Sequence, residues 1–155
     1  MKFSTREDVE APIDAVFAML CDFESFERAA MRRGADVRRV DRMDEPGVGM
    51  QWNAVFELRG KRRELQVEMV LFDQPNEMVL DSTSPGLASE MRFELIALSR
   101  SRTRVKVELE IKPQNLSARL LVQSLKLAKA SLTKKYKLRV AGYASTMEER
   151  YLKQA

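Results

Sequence analysis

Apolar and polar residues alternate along much of this chain, and the alternation predicts strands. Phe3, Thr5, Glu7 and Val9 oppose Ser4, Arg6, Asp8 and Glu10. Ala11-Pro12 then opens a helix with Val16, Met19 and Leu20 as its apolar face, since proline suits the first helical position. Asp22 caps a second short helix carrying Phe23, Phe26, Ala30 and Met31, and Gly34 ends it. Val37 to Met43 reads as a strand and Glu45 to Gly49 as a loop. Met50, Trp52, Ala54, Phe56 and Leu58 share one face of the next strand, which turns at Gly60-Lys61 into a hairpin partner presenting Leu65, Val67, Met69 and Leu71. Turns at 73–76, 84–86 and 99–102 divide three further strands. The first is Glu77 to Thr83, the second faces Ser89, Met91, Phe93 and Leu95 inward, and the third Thr103, Val105, Val107, Leu109 and Ile111.

Long strands with one apolar and one charged face predict an antiparallel sheet wet on one side. The apolar side needs a cover, and the segment from Leu116 to Tyr151, with one glycine and no proline, is long enough to supply it. On a helical wheel Leu121, Leu125, Ala128, Leu132, Tyr136, Tyr143 and Met147 fall on one stripe, with Arg119, Lys126, Lys134 and Lys137 nearly opposite. The expectation is an α+β chain forming one domain over 1–155: strand, two short helices, six strands, one long helix.

Composition narrows the chemistry. There is no histidine and one cysteine. Ser-His-Asp and Cys-His nucleophile systems are therefore excluded, as are the usual catalytic zinc sites, and no internal disulfide can form. Cys21 sits in an apolar run and reads as a small buried hydrophobe. No EF-hand spacing occurs, and neither a metal nor a cofactor is implied. The N-terminus is charged, without the apolar core of a signal peptide, and no apolar run approaches the ~20 residues of a membrane span. A soluble cytoplasmic protein is the expectation. The net charge of +4 is uneven. From Ile111 to Met147 there are eight basic residues and no acid, while elsewhere 19 basic residues face all 23 acidic ones.

The chain resembles the helix-grip (SRPBCC) superfamily of START lipid-transfer domains, birch-pollen-allergen-like proteins and polyketide cyclase/dehydratase-like proteins, and most of all the last of these. The residues that carry the resemblance are Val9-Glu10-Ala11-Pro12-Ile13-Asp14-Ala15-Val16-Phe17 with Asp22-Phe23, Gly47-Val48-Gly49 before Trp52, Thr103-Arg104-Val105, and the terminal helix. It implies a curved seven-stranded antiparallel sheet wrapped around the long C-terminal helix. It also implies a hydrophobic cavity between them, entered near the short helices and loops.

Candidate ligand-binding residues are Phe26, Trp52, Phe56, Met69, Met91, Phe93, Leu132, Tyr136, Arg139 and Tyr143. Methionines and aromatics suit a pocket that adapts to an apolar molecule, and they suit a solid core as well. Arg139 falls on the apolar stripe, where it would meet Glu7 or an anionic head group, or else snorkel to solvent. The hydroxyls of Tyr136 and Tyr143 could orient a ligand carbonyl, or the rings could simply pack. Gly47-Val48-Gly49 lacks a Walker lysine and reads as a turn. Leu120, Leu127 and Leu138 beside Lys126, Lys134 and Lys137 either pack on the first helices or the sheet edge, or touch an anionic membrane transiently. No aromatics interleave with those lysines, so nucleic acid is not an expected partner. The function expected is binding or transport of a small, largely hydrophobic molecule: a lipid, quinone or polyketide-like compound. The alternative is a polyketide cyclase/dehydratase-like enzyme using Tyr, Arg and carboxylates as acids and bases. A lipid-surface or quinone chaperone working through the basic helix is a third reading.

Overall fold

The structure, a computed structural model, describes residues 1–154; Ala155, the last residue of the expected domain, lies outside the described residues. Strand β1 (Lys2–Val9) leads into helices α1 (Ile13–Leu20) and α2 (Phe23–Arg32). Strands β2 (Asp36–Arg39), β3 (Gln51–Leu58), β4 (Lys61–Asp73), β5 (Glu77–Ser84), β6 (Leu87–Ser99) and β7 (Arg102–Pro113) follow, then α3 (Leu116–Leu127) and α4 (Lys129–Gln154). The seven strands form one antiparallel sheet in the order β1-β7-β6-β5-β4-β3-β2. This is the expected helix-grip architecture.

Local chemistry accounts for the element ends. Pro12 is the cap of α1, one residue before its first helical turn. Asp22 accepts the Ser25 N–H at the start of α2. At the other end the Gly34 N–H donates to the Met31 carbonyl and the Ala35 N–H to that of Ala30. With Gly34 at φ +96°, this is the six-to-one closure that favours glycine. Gly86, also left-handed at φ +77°, leaves room for Asn115, whose side chain accepts the Ala118 N–H at 2.8 Å and caps α3.

Three expectations are corrected. Strand β2 stops at Arg39 rather than Met43, because the Asp41 carboxylate accepts the N–H groups of Gln51 and Met43 and takes the place of a strand partner. In β4 the register shifts between Met69 and Leu71, so Val70 is exposed and Phe72, rather than Leu71, reaches α1, its ring 5.3 Å from Phe17. The long terminal helix is two helices. At Ala128 the N–H turns back to the Leu125 carbonyl and ψ opens to 14°, ending α3 before α4 begins. Helix α3 lies on β7, whereas α4 runs along β1 and reaches α1.

The core gathers where α1, α4 and the concave sheet face meet. Val9, Val16, Phe17, Met50, Met69 and Met78 are fully buried there, joined by Ala144 and Met147 of α4. The Thr103 hydroxyl, also fully buried, donates to the Ala11 carbonyl at 2.8 Å, and Asp8 pairs with Arg104 across β1 and β7. Thr103 and Arg104, two of the residues that carry the resemblance, therefore tie β7 to β1 and to the start of α1.

Candidate functional site

Helix α2 covers β2 through β6 without touching them everywhere. Its apolar positions Phe23, Phe26 and Ala30 face the sheet, yet no residue of the helix is fully buried. The gap is a cavity of about 260 Å³. The sheet wall is built from cross-strand neighbours: Val37 with Ala54, Trp52 with Val67, Leu80 with Met91, and Met78 with Phe93. Leu20, at the end of α1, completes it. Such a lining can hold hydrocarbon or an aromatic ring, since burial contributes ~25 cal/mol per Å² of apolar surface. Its volume lies just below the ~300–1,000 Å³ of small-molecule pockets, which suits a small ligand.

One titratable side chain lines this cavity. Glu27 accepts a long hydrogen bond, 3.5 Å, from the Trp52 indole N–H. Over the indole ring the Arg39 guanidinium stands 5.9 Å from the centroid and donates two 2.8 Å hydrogen bonds to Asp41. The Asp41 carboxyl is held well below the usual carboxylate range, first by the Arg39 hydrogen bond and then by the Gln51 and Met43 N–H groups. Trp52 is thus held by Arg39 over its ring and by Glu27 at its N–H edge, with Phe23 tilted against it at 5.3 Å.

The structure brings together four of the ten candidate residues, Phe26, Trp52, Met91 and Phe93, on the cavity wall. Met69 lies fully buried beside Met50, its N–H on the Met50 carbonyl. Phe56 lies further along β3 and faces a separate groove with Arg33 and Gly34. The four residues of α4 stand apart. Leu132 is half-buried near its start. Tyr136 packs on Phe3, ring centroids 5.6 Å apart, and its hydroxyl donates to the Val107 carbonyl at 2.7 Å. Burial, with the Glu108 charge second, pushes that phenol up to about 12. Tyr143 stacks on Phe26 from outside, centroids 5.3 Å apart.

Arg139 is exposed in a cleft between α2 and α4, settling its placement in favour of solvent. The wheel angle relating it to Leu121 runs through Ala128, where the helix is broken, so the two do not share a stripe. The apolar wall opposite the sheet consequently comes from α2, whereas the expectation placed the C-terminal helix there. Burial pushes the half-buried Cys21 thiol up to about 11, leaving it protonated near neutral pH.

Sequence reasoning missed Glu27, Arg39 and Asp41. A signal for Glu27 exists: Phe23, Glu27 and Ala30 follow the i, i+4, i+7 spacing of one helix face. Of the two readings of the second leucine stripe, packing on the first helices or the sheet edge is not what is found. Leu120, Leu127 and Leu138 are exposed, Leu127 by 92%. Among the described residues no helix is long and apolar enough to cross a membrane, and no group of three His, Cys, Asp or Glu side chains could hold a metal ion.

No family model and no curated protein sequence matches the chain. Solved structures do. An aromatase/cyclase of Streptomyces sp. R1128 superposes with a TM-score of 0.62 at 14% identity, covering 94% of this chain and 93% of that one. A START superfamily protein of Mycobacterium smegmatis gives 0.57 at 14%, over 86% and 95%. Norcoclaurine synthase of Thalictrum flavum gives 0.66 at 13%, over 98% and 86%. The chain shares the helix-grip fold of these START/SRPBCC proteins.

Proposed function

We propose that the protein binds and carries a small, largely hydrophobic molecule, a lipid, quinone or polyketide-like compound, in the cavity beneath α2. The observation that carries this reading is the cavity itself: about 260 Å³, walled by apolar side chains, with one carboxylate. The shared fold supports it, as does the norcoclaurine synthase structure that contains dopamine and hydroxybenzaldehyde. A cyclase-like enzyme is the weaker reading. The Tyr136 hydroxyl is engaged by backbone, and Arg139 and Tyr143 lie outside the lining, which leaves Glu27 as its acid–base group.

A membrane surface is the second partner in this proposal. Helix α3 buries Ala118 and Val122 and turns Leu116, Leu120 and Leu127 outward beside Arg119 and Lys126. Exposed leucine next to uncompensated cations is what an anionic interface attracts. Sedimentation with phosphatidylserine vesicles at low salt, lost at high salt, is the expected result; no binding at low salt removes this partner.

Trp52, the single tryptophan, lines the cavity and reports its occupancy. Octanol should change Trp52 fluorescence saturably, and Ala54→Phe, which fills the space, should abolish the change. Native mass spectrometry of the purified protein should show a co-purified apolar molecule in the wild type and none in the variant. A folded Ala54→Phe protein that retains ligand as the wild type does would remove the cavity from the proposal.

A further inference from the structure

Behind the Phe26–Tyr143 pair lies the cleft between α2 and α4. Arg32 and Arg33, at the end of α2, face Lys135 and Arg139 of α4 across it. Among the described residues no carboxylate lines it and none of the four cations enters an ion pair. Four cations converging without an acid attract a compact anion, and guanidinium groups suit the two oxygens of a carboxylate or phosphate.

A second observation points the same way. Gly142 lines the cleft inside the 26-residue helix α4, where glycine weakens a helix relative to alanine. A methyl group there would meet no atom of the protein, so packing does not require the glycine. The open space beside its backbone leaves room for a ligand to approach the helix.

Phe26 joins the two spaces. It lines the apolar cavity on one side and stacks on Tyr143, a cleft residue, on the other. We infer that the ligand is an anionic amphiphile. Its hydrocarbon part occupies the cavity, and its carboxylate or phosphate head sits in the cleft of Arg32, Arg33, Lys135 and Arg139, with the Phe26–Tyr143 pair parting between them. This rests on the hydrophobic-ligand reading and narrows its substrate class.

The test compares octanoate with octanol by Trp52 fluorescence at low salt. Octanoate should bind about tenfold more tightly, an advantage that shrinks as salt is added. The double variant Arg33→Gln/Arg139→Gln should bring the ratio near one. Gly142→Ala should keep the fold and reduce octanoate affinity relative to octanol. Octyl phosphate matching octanoate while inorganic phosphate competes only with the charged probes would support the shared head-group chemistry. Equal affinity of the wild type for octanoate and octanol overturns the inference and leaves the cavity reading standing, as does a ratio unchanged in the double variant. If neither probe alters Trp52, the cavity reading fails and this inference fails with it.

Discussion

Two helices cover the concave face of one sheet, and they fit it differently. Helix α4 beds into the region of β1 and α1: Ala144 and Met147 are buried, Tyr136 is stacked on Phe3 and bonded to Val107, and Glu148 accepts the Glu10 N–H. Helix α2 is tied down at its start by Asp22 with Arg150, touches the sheet through Phe23 and Glu27 on Trp52, and buries none of its residues fully. Where the cover meets the sheet at only a few side chains, apolar side chains line a space instead of filling it. The same residue type serves both sides: Met50 and Met69 fill, Met91 forms wall, and the fully buried Met78 stands where core and cavity meet. Whether a methionine is core or pocket is decided by the helix above it.

The sharpest way to break this comparison is to empty the solid side. Phe17→Ala removes a fully buried ring packed on Phe72 and should cost ~3–5 kcal/mol in urea unfolding. Phe23→Ala, beside the cavity, should cost clearly less, because its ring already borders open space. Filling should show the same asymmetry. Ala144→Phe overpacks a closed region and should lose ~1–3 kcal/mol. Ala54→Phe should change stability by less than ~1 kcal/mol, since there is room for the ring. Equal losses in the two alanine variants would mean that the cavity closes in solution.

Tyr136 gives a smaller effect with a pH signature. Tyr136→Phe should cost ~1 kcal/mol for the lost hydrogen bond. The folded phenol, pushed up to about 12, holds its proton more tightly than an unfolded tyrosine near ~10. Its contribution is therefore present in full below pH ~10 and lost as pH rises toward 12. Thermal unfolding between those limits should fall more steeply for wild type than for Tyr136→Phe. The smallest expected change is a gain: Gly142→Ala should stabilise α4 by ~0.5–1 kcal/mol while weakening anion binding, separating stability from function at one position.

Much of the fold was legible because strand alternation and turn chemistry are local. Trp52 against Asn53 and Phe93 against Glu94 place their strands' faces without reference to the rest of the chain. The break at Ala128 was not legible. Lys126-Leu127-Ala128-Lys129-Ala130 is composed of good helix formers, and the helix breaks there where contact passes from β7, under α3, to β1, under α4. The bulge at Val70 interrupts an unbroken apolar run, Met69 to Phe72, in which alternation carries no phase. Phe26, Trp52, Met91 and Phe93 could be placed on the inner face from their strands and helix, yet the cavity they line depends on α2 standing away from the sheet, a distance no periodicity encodes. Arg139 shows the reverse error, since its assigned angle held only for an unbroken helix.

The two ends of the sheet carry a last consequence. Open strand edges invite pairing with other chains. Strand β2 offers four residues, of which Asp36, Arg38 and Arg39 are charged, and β1 carries Lys2, Arg6 and Asp8 along its length. Neither edge is a long, flat, apolar template for a further strand. A sheet of this size can therefore keep a hollow inner face without seeding fibrils through its borders, and clumping under stress should begin instead at the outward leucines of α3.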